Sequence, residues 1–257
     1  MITLKPTLTI IAGPNGSGKS TFTRNTQEAL GVPVIDPDLE ARLLRPDAPE
    51  TVAVAAGKQA IRRARTYLEN NQSFAVETTL SGNTYLKMMR EAKQKGWQVN
   101  LIYIGLNKVE TNIQRVAQRV TVGGHNVPEK DIRRRYERSL ANLPLALQQA
   151  DDALIFDNST VAGHQNVLTV ENGRITQIVP ELPEWLRKAI SKELIESYQS
   201  QSNQQNILST SIDPQQQQIA QEIYPTALAL LATNRNQSNE PIRGVEELEG
   251  NNSDGAT

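Results

Sequence analysis

The sequence predicts an α/β fold: an open parallel sheet of about five strands with helices on both faces, an arginine-rich helical lid, a C-terminal β-hairpin and a disordered tail. Three observations carry this. Short apolar runs alternate with amphipathic helical stretches over residues 8–157, the pattern of βαβ units. The first run, Leu8-Thr9-Ile10-Ile11-Ala12, leads straight into Gly13-Pro14-Asn15-Gly16-Ser17-Gly18-Lys19-Ser20, a complete G-x-x-x-x-G-K-[ST] phosphate-binding loop. From Ser197 the chain turns to Gln, Asn and Ser, including Gln215–Gln218, and ends in an acidic Gly/Asn/Ser stretch.

Each part of the loop serves phosphate. Its glycines let backbone N–H groups close around the anion, and a helix starting inside the loop adds positive potential. Lys19 is a point charge for the β- and γ-phosphates, and Ser20 offers its hydroxyl to Mg²⁺. Nothing breaks the loop helix before Gly31.

A second strand follows at Val32–Ile35 and ends in Asp36-Pro37-Asp38. Pro37 is expected to break the strand and aim Asp38 outward at the sheet edge where α/β folds bind ligands. The spacing of Val54, Ile61, Ala64 and Leu68 predicts a helix over 51–70. Ser73–Thr79 reads as a third strand ending in Glu77 and Thr79, a helix is expected over 83–95, and Val99–Gly105 is a fourth strand. Two arginine-rich helices come next. In the first, Val109, Ile113, Val116 and Val120 mark the buried stripe, with Arg115 and Arg119 expected opposite it. A Gly123-Gly124-His125 break precedes the second, which Pro128 opens and in which Ile132, Tyr136, Leu140 and Leu143 are expected to be buried. Leu154–Asp157 is a fifth strand; Asn172-Gly173 joins two further strands as a type I′ hairpin, and a short helix is expected over 182–196. Residues 1–196 thus read as one domain and 197–257 as a tail, in which Ile219–Ala232 is the one apolar segment.

Composition agrees. Hydrophobic content of 38% is low for a chain that folds throughout. Residues 198–257 hold two basic and seven acidic residues, a net of −5, so residues 1–197 carry about +4 of the total −1. That mild basicity suits anionic small molecules and does not argue for nucleic acid. There is no cysteine, which excludes disulfides and thiolate metal sites. No leader or membrane-spanning stretch is legible, so a cytoplasmic protein is expected.

Among phosphate-loop classes, a regulatory GTPase would need D-x-x-G and N-K-x-D. Asn107-Lys108-Val109-Glu110 departs from the second, and the first is missing. A P-loop kinase of small molecules fits better, because phosphoryl transfer needs a held γ-phosphate, an aimed hydroxyl, a base and positive charge. Asp38 is the candidate base. Glu77 and Thr79 are candidates to hydrogen-bond the acceptor, and Arg115, Arg119 and one or more of Arg133–Arg135 to fold over the phosphates, hinged near Gly123-Gly124. A kinase of another small metabolite, or a nucleotide-dependent binding module that transfers nothing, remains open at this point.

Gly13–Ser20, Ile35-Asp36-Pro37-Asp38, Val76-Glu77-Thr78-Thr79-Leu80 and Arg119–Pro128 with Ile132–Tyr136 together resemble the zeta toxin family over roughly residues 5–196. These are P-loop kinases usually encoded in toxin–antitoxin pairs. The resemblance implies ATP and Mg²⁺ as cofactors, the 3′-hydroxyl of UDP-N-acetylglucosamine as acceptor and an antitoxin protein as partner. It implies Asp38 as general base, Glu77 and Thr79 as substrate contacts, and Arg119 as a phosphate-binding arginine, with Arg115 an alternative. A second arginine comes from Arg133, Arg134 or Arg135, with Arg134 taken as the substrate contact. Where the better-studied members differ, this chain reads Gly123-Gly124-His125.

Overall fold

A computed structural model describes residues 5–124 and 126–205; His125 and the tail segments Gln215–Gln218 and Ile219–Ala232 lie outside the described residues. The chain begins with β1 (Thr7–Ala12) and α1 (Lys19–Leu30), which flank the phosphate loop, followed by β2 (Val34–Ile35) and α2 (Pro37–Leu44). A 3-10 turn (Pro49–Val52), α3 (Ala53–Glu69), β3 (Phe74–Thr78), α4 (Thr84–Gln94) and β4 (Gln98–Gly105) come next. The arginine-rich pair is α5 (Val109–Thr121) and α6 (Glu129–Gln149). β5 (Asp152–Asp157), β6 (Gln165–Glu171), β7 (Arg174–Ile178), α7 (Glu184–Ala189) and α8 (Lys192–Gln205) complete the described fold.

The strands form one seven-stranded sheet in the order β2-β3-β1-β4-β5-β6-β7. The first five are parallel, with β1 in the middle, paired to β3 on one side and β4 on the other. The hairpin does not stand apart. β6 pairs antiparallel to β5, so the expected five strands become seven. Asn172 and Gly173 have φ of 50° and 71°, both positive as a type I′ turn requires.

Both sheet faces are covered. Leu8 and Ile10 point into one core with Ala60, Ala64 and Leu68 of α3, whereas Ile11 points into the other with Phe22 of α1 and Phe156. Because β1 to β5 run the same way, the residues at their C-terminal ends share one edge, and the loop, Asp36, Asp38, Glu77 and Asn158 all gather there.

Four local expectations are corrected. Pro37 does more than end a strand: it occupies the first turn of α2, and Asp36 caps that helix by accepting from Asp38 N at 2.9 Å. In α3 the buried stripe is Ala56, Ala60, Ala64 and Leu68, while Val54 is 75% exposed; small residues let this helix lie close on the sheet. In α5, Val120 is exposed, and Asn112, Arg115, Val116 and Arg119 form the face turned to the phosphate loop, so the two arginines do not oppose the packed side. The helix expected over 182–196 is two helices, and the second runs on to Gln205.

Trp185 of α7 fixes the end of β4 and β5. It is 1% exposed, stacks on Tyr103 at 5.7 Å and donates from Nε1 to Asp157 Oδ1 at 2.9 Å. A Cβ on Gly105 would come within 2.4 Å of its ring, so only glycine fits there. Trp185→Ala should therefore cost about 3–5 kcal/mol of unfolding free energy. Urea unfolding measures this, and a loss below about 1 kcal/mol would contradict the anchoring role.

Candidate active site

The phosphate loop is held in shape from three sides. Gly13, Gly16 and Gly18 have φ of 141°, 74° and 104°, conformations that favour glycine. Added Cβ atoms would meet Ile104 O at 2.2 Å, Asn112 O at 2.7 Å and Asn158 Nδ2 at 2.5 Å respectively. The loop is therefore wedged between the end of β4, helix α5 and the segment after β5. Asn112, fully buried, donates to Asn15 O at 2.6 Å, and Asn158 donates to Ser17 O at 2.8 Å.

The cradle fits a phosphate chain. No side chain caps α1, and no acidic residue lies in its first turn, so its leading N–H groups are available to an anion. Ser17 Oγ is buried with no hydrogen-bond partner among the described residues. Lys19 Nζ donates to Gly13 O at 2.8 Å and Pro14 O at 3.0 Å, bending its ammonium back under the loop. Burial lowers the pKa of Lys19; Glu77, Asp38 and Asp36 raise it, and Arg119 lowers it further.

Three carboxylates face this cation. Glu77, 4% exposed on β3, accepts from Ser20 Oγ at 3.0 Å, so strand end and loop are joined. Asp38 lies half-buried in the first turn of α2, its backbone tied to Asp36. Its side chain has no hydrogen-bond partner among the described residues. An ion pair between the buried Glu40 and the half-exposed Arg63 clamps α2 to α3 and so holds Asp38 at the edge. The pKa of Asp36 is pushed up to about 6 by burial, with Glu77 and Asp38 adding repulsion. Among the described residues no group of three or more His, Cys, Asp or Glu side chains is arranged to hold a metal ion.

The arginines divide. Arg115 donates to Asn158 O at 3.0 Å, and Arg119 lies close enough to Lys19 to bear on its charge. Gly124 closes α5 by donating to Arg119 O at 2.8 Å, and a Cβ there would strike Arg119 Cγ at 2.3 Å. Arg133 is paired with Glu110 and Glu129, and Arg134, expected at the substrate, is half-exposed and paired with Asp131. Arg135 is the member of that run that reaches the loop, at Asn15 Oδ1, 3.4 Å away. Helical geometry decides this, because consecutive residues are turned about 100° apart and only one of three can face the site. Thr79 Oγ1 lies 2.9 Å from Ser81 Oγ. Asn107 of the GTPase-like quartet is structural, taking Ser159 Oγ and Trp185 N as partners.

Sequence reading missed His164. Its Nε2 donates to Gly18 O at 3.3 Å, its ring stands edge-on to Phe22 and Phe156, and burial lowers its pKa. The available signal was its place in the connection after Asp157-Asn158-Ser159, at the same sheet edge. Asn112 gave none, being one polar residue in an amphipathic helix.

The profile of the zeta toxin family matches residues 2–169. An uncharacterised protein of Haemophilus influenzae (strain ATCC 51907 / DSM 11121 / KW20 / Rd) is 40% identical over 124 residues, 48% of this chain and 88% of that protein. Among solved structures, AvrRxo1-ORF1:AvrRxo1-ORF2 with sulphate ions superimposes with a TM-score of 0.59 at 17% identity, covering 90% of this chain and 80% of that one. AvrRxo1-ORF1:-ORF2 with ATP gives 0.55 at 16% identity, covering 91% of this chain and 76% of that one. At such identity the likeness is one of fold.

Asp36 makes the nucleotide-free site sensitive to pH. Its folded pKa lies above the unfolded value near 3.8, so the folded state holds the proton more tightly and stability falls as pH rises from about 4 to 6. Asp36→Asn keeps a capping oxygen and removes the charge. It should leave stability unchanged below pH 4 and raise it by up to about 3 kcal/mol above pH 6. Thermal unfolding of both proteins across pH measures the gap, and a gap that does not widen with pH would refute the assignment.

Proposed function

Because the chain belongs to the zeta toxin family, we propose that it transfers the γ-phosphate of ATP to a hydroxyl of a sugar nucleotide, UDP-N-acetylglucosamine, and acts as a toxin restrained by an antitoxin protein. The observation that carries the chemistry is Asp38: a carboxylate without a hydrogen-bond partner among the described residues, set at the mouth of the parallel strands within reach of the Lys19 charge. That is where an acceptor hydroxyl must sit to attack a phosphoryl group lying in the loop.

The residues divide the work. Loop N–H groups and Lys19 bind the nucleotide phosphates, and Arg115, Asn158 and His164 border the loop on its other flank. Asp38 takes the proton of the acceptor hydroxyl as its oxygen bonds to phosphorus and ADP leaves. Arg119 from α5 and Arg135 from α6 place positive charge where the transferring group gains negative charge. Glu77 and Thr79 hold the acceptor near Asp38. Ser20 and a neighbouring carboxylate, Glu77 or Asp36, would hold Mg²⁺ together with nucleotide phosphates, an arrangement that needs no all-protein cage. The ion would supply charge neutralisation at the phosphates.

α5 and α6 share a small apolar cluster of Val116, Val127 and Ile132, separate from the two sheet cores. That cluster joins the two helices across Gly123-Gly124, where the lid would hinge. The antitoxin follows from the family, and the fold neighbour AvrRxo1-ORF1 is itself seen in complex with AvrRxo1-ORF2. A cytoplasmic site of action completes the reading; the boundary expected at residue 197 falls inside α8, whose Tyr198 packs on the main core.

Asp38→Ala should retain ATP affinity within about twofold yet lose roughly 10²–10⁴-fold in turnover, the scale of a lost general base. Lys19→Ala should lose both. Equilibrium binding of an ATP analogue beside steady-state kinetics separates the two, and unchanged turnover in Asp38→Ala would remove it from the mechanism.

A further inference from the structure

The face of α6 that passes the site carries more than Arg135. Seven residues beyond it, Asn142 donates to Leu80 O at 2.8 Å, tying the helix to the loop after β3. Arg138 lies between these two anchors, three residues after the first and four before the second, and so on the same face. Beside it opens a cleft of about 380 Å³ lined by Ser81, Gly82, Asn83, Arg138, Ala141 and Asn142.

The charge and polar groups of this cleft suit an anion. Arg133 and Arg134 are neutralised by acidic partners, whereas Arg138 has no ion pair or hydrogen bond among the described residues. Among the described residues no acidic side chain lines the cleft; its other polar groups are neutral and able to donate, the Ser81 hydroxyl and the Asn83 and Asn142 amides. A guanidinium facing hydroxyl and amide donors without a carboxylate suits phosphate oxygens.

The loop that forms the cleft is held in a costly shape. Leu80, 1% exposed, has φ of 54°, a region that bulky side chains avoid. It is pinned there by Thr78 Oγ1, which accepts from Leu80 N at 3.0 Å, and by Asn142 on its carbonyl. The Thr79–Ser81 contact joins one residue of the cleft lining to Thr79, at the strand end where the acceptor is placed.

We propose that this cleft binds the phosphate groups of the acceptor, and that Arg138 selects a phosphorylated acceptor over the free sugar. The inference rests on the kinase reading above but does not depend on which sugar nucleotide is used.

The test fills the phosphate loop first. Protein saturated with a non-hydrolysable ATP analogue and Mg²⁺ is titrated with inorganic pyrophosphate by calorimetry, for wild type and Arg138→Gln. Arg138 is exposed, so the substitution should leave the fold intact, as circular dichroism can verify. Wild type should bind pyrophosphate and Arg138→Gln about 10–100-fold more weakly, with affinity for the ATP analogue unchanged. In steady state, Arg138→Gln should raise the KM for UDP-N-acetylglucosamine by a similar factor and leave kcat within about threefold. Equal pyrophosphate affinity in the two proteins, or none in wild type, would overturn the proposal. Wild type that binds pyrophosphate through Arg138 yet transfers nothing to UDP-N-acetylglucosamine would keep this cleft and discard that acceptor.

Discussion

The structure depends on how closely other backbone and side chains approach the phosphate loop. Three glycines at positive φ let Ile104, Asn112 and Asn158 come nearer than any Cβ would allow, and Lys19 closes the loop from inside through two carbonyls. That single constraint sets the position of much else. Asn112 fixes α5, and with it Arg115 and Arg119; Asn158 fixes the segment after β5, and with it His164. A larger residue at any of these glycines would move the arginines together with the loop.

The second organising feature is a balance of charge at the edge of the sheet. Asp36, Asp38 and Glu77 converge on one buried ammonium, more acid than Lys19 alone can neutralise. Arg119 and Arg135 come to the same loop from the two lid helices. Burial, with repulsion from Glu77 and Asp38, raises the pKa of Asp36, and three carboxylates around one ammonium leave the site receptive to a cation. The uncapped end of α1 makes it receptive to phosphate. Cation and phosphate are attracted to neighbouring halves of one site, as phosphoryl transfer demands.

Much of this was legible in the sequence, for identifiable reasons. The loop motif and the alternating strands are local patterns, and parallel strands necessarily bring their ends to one edge, so the gathering of Asp38, Glu77 and the loop followed from order alone. Asn172-Gly173 specified its turn by backbone chemistry. What escaped depended on contacts distant in sequence. Pro37 was read as a strand breaker because its role as the first residue of a helix requires Asp36 to cap it. Helical periodicity sets Arg115 and Arg119 opposite the apolar stripe because it cannot say that the phosphate loop lies against the same side of α5 as Val116. In the run 133–135 only the rotation of α6, set by Tyr136 on Leu106 O, Ser139 on Tyr103 and Asn142 on Leu80 O, shows that Arg135 turns inward.

The central claim is that Asp38 and the phosphate loop together move phosphate onto a sugar nucleotide. Mass spectrometry of UDP-N-acetylglucosamine incubated with ATP, Mg²⁺ and the purified full chain tests it most directly. A product heavier by one phosphoryl group is expected, formed with stoichiometric ADP and absent with Asp38→Ala. ADP release without a phosphorylated sugar nucleotide, or the same product from Asp38→Ala, would contradict it.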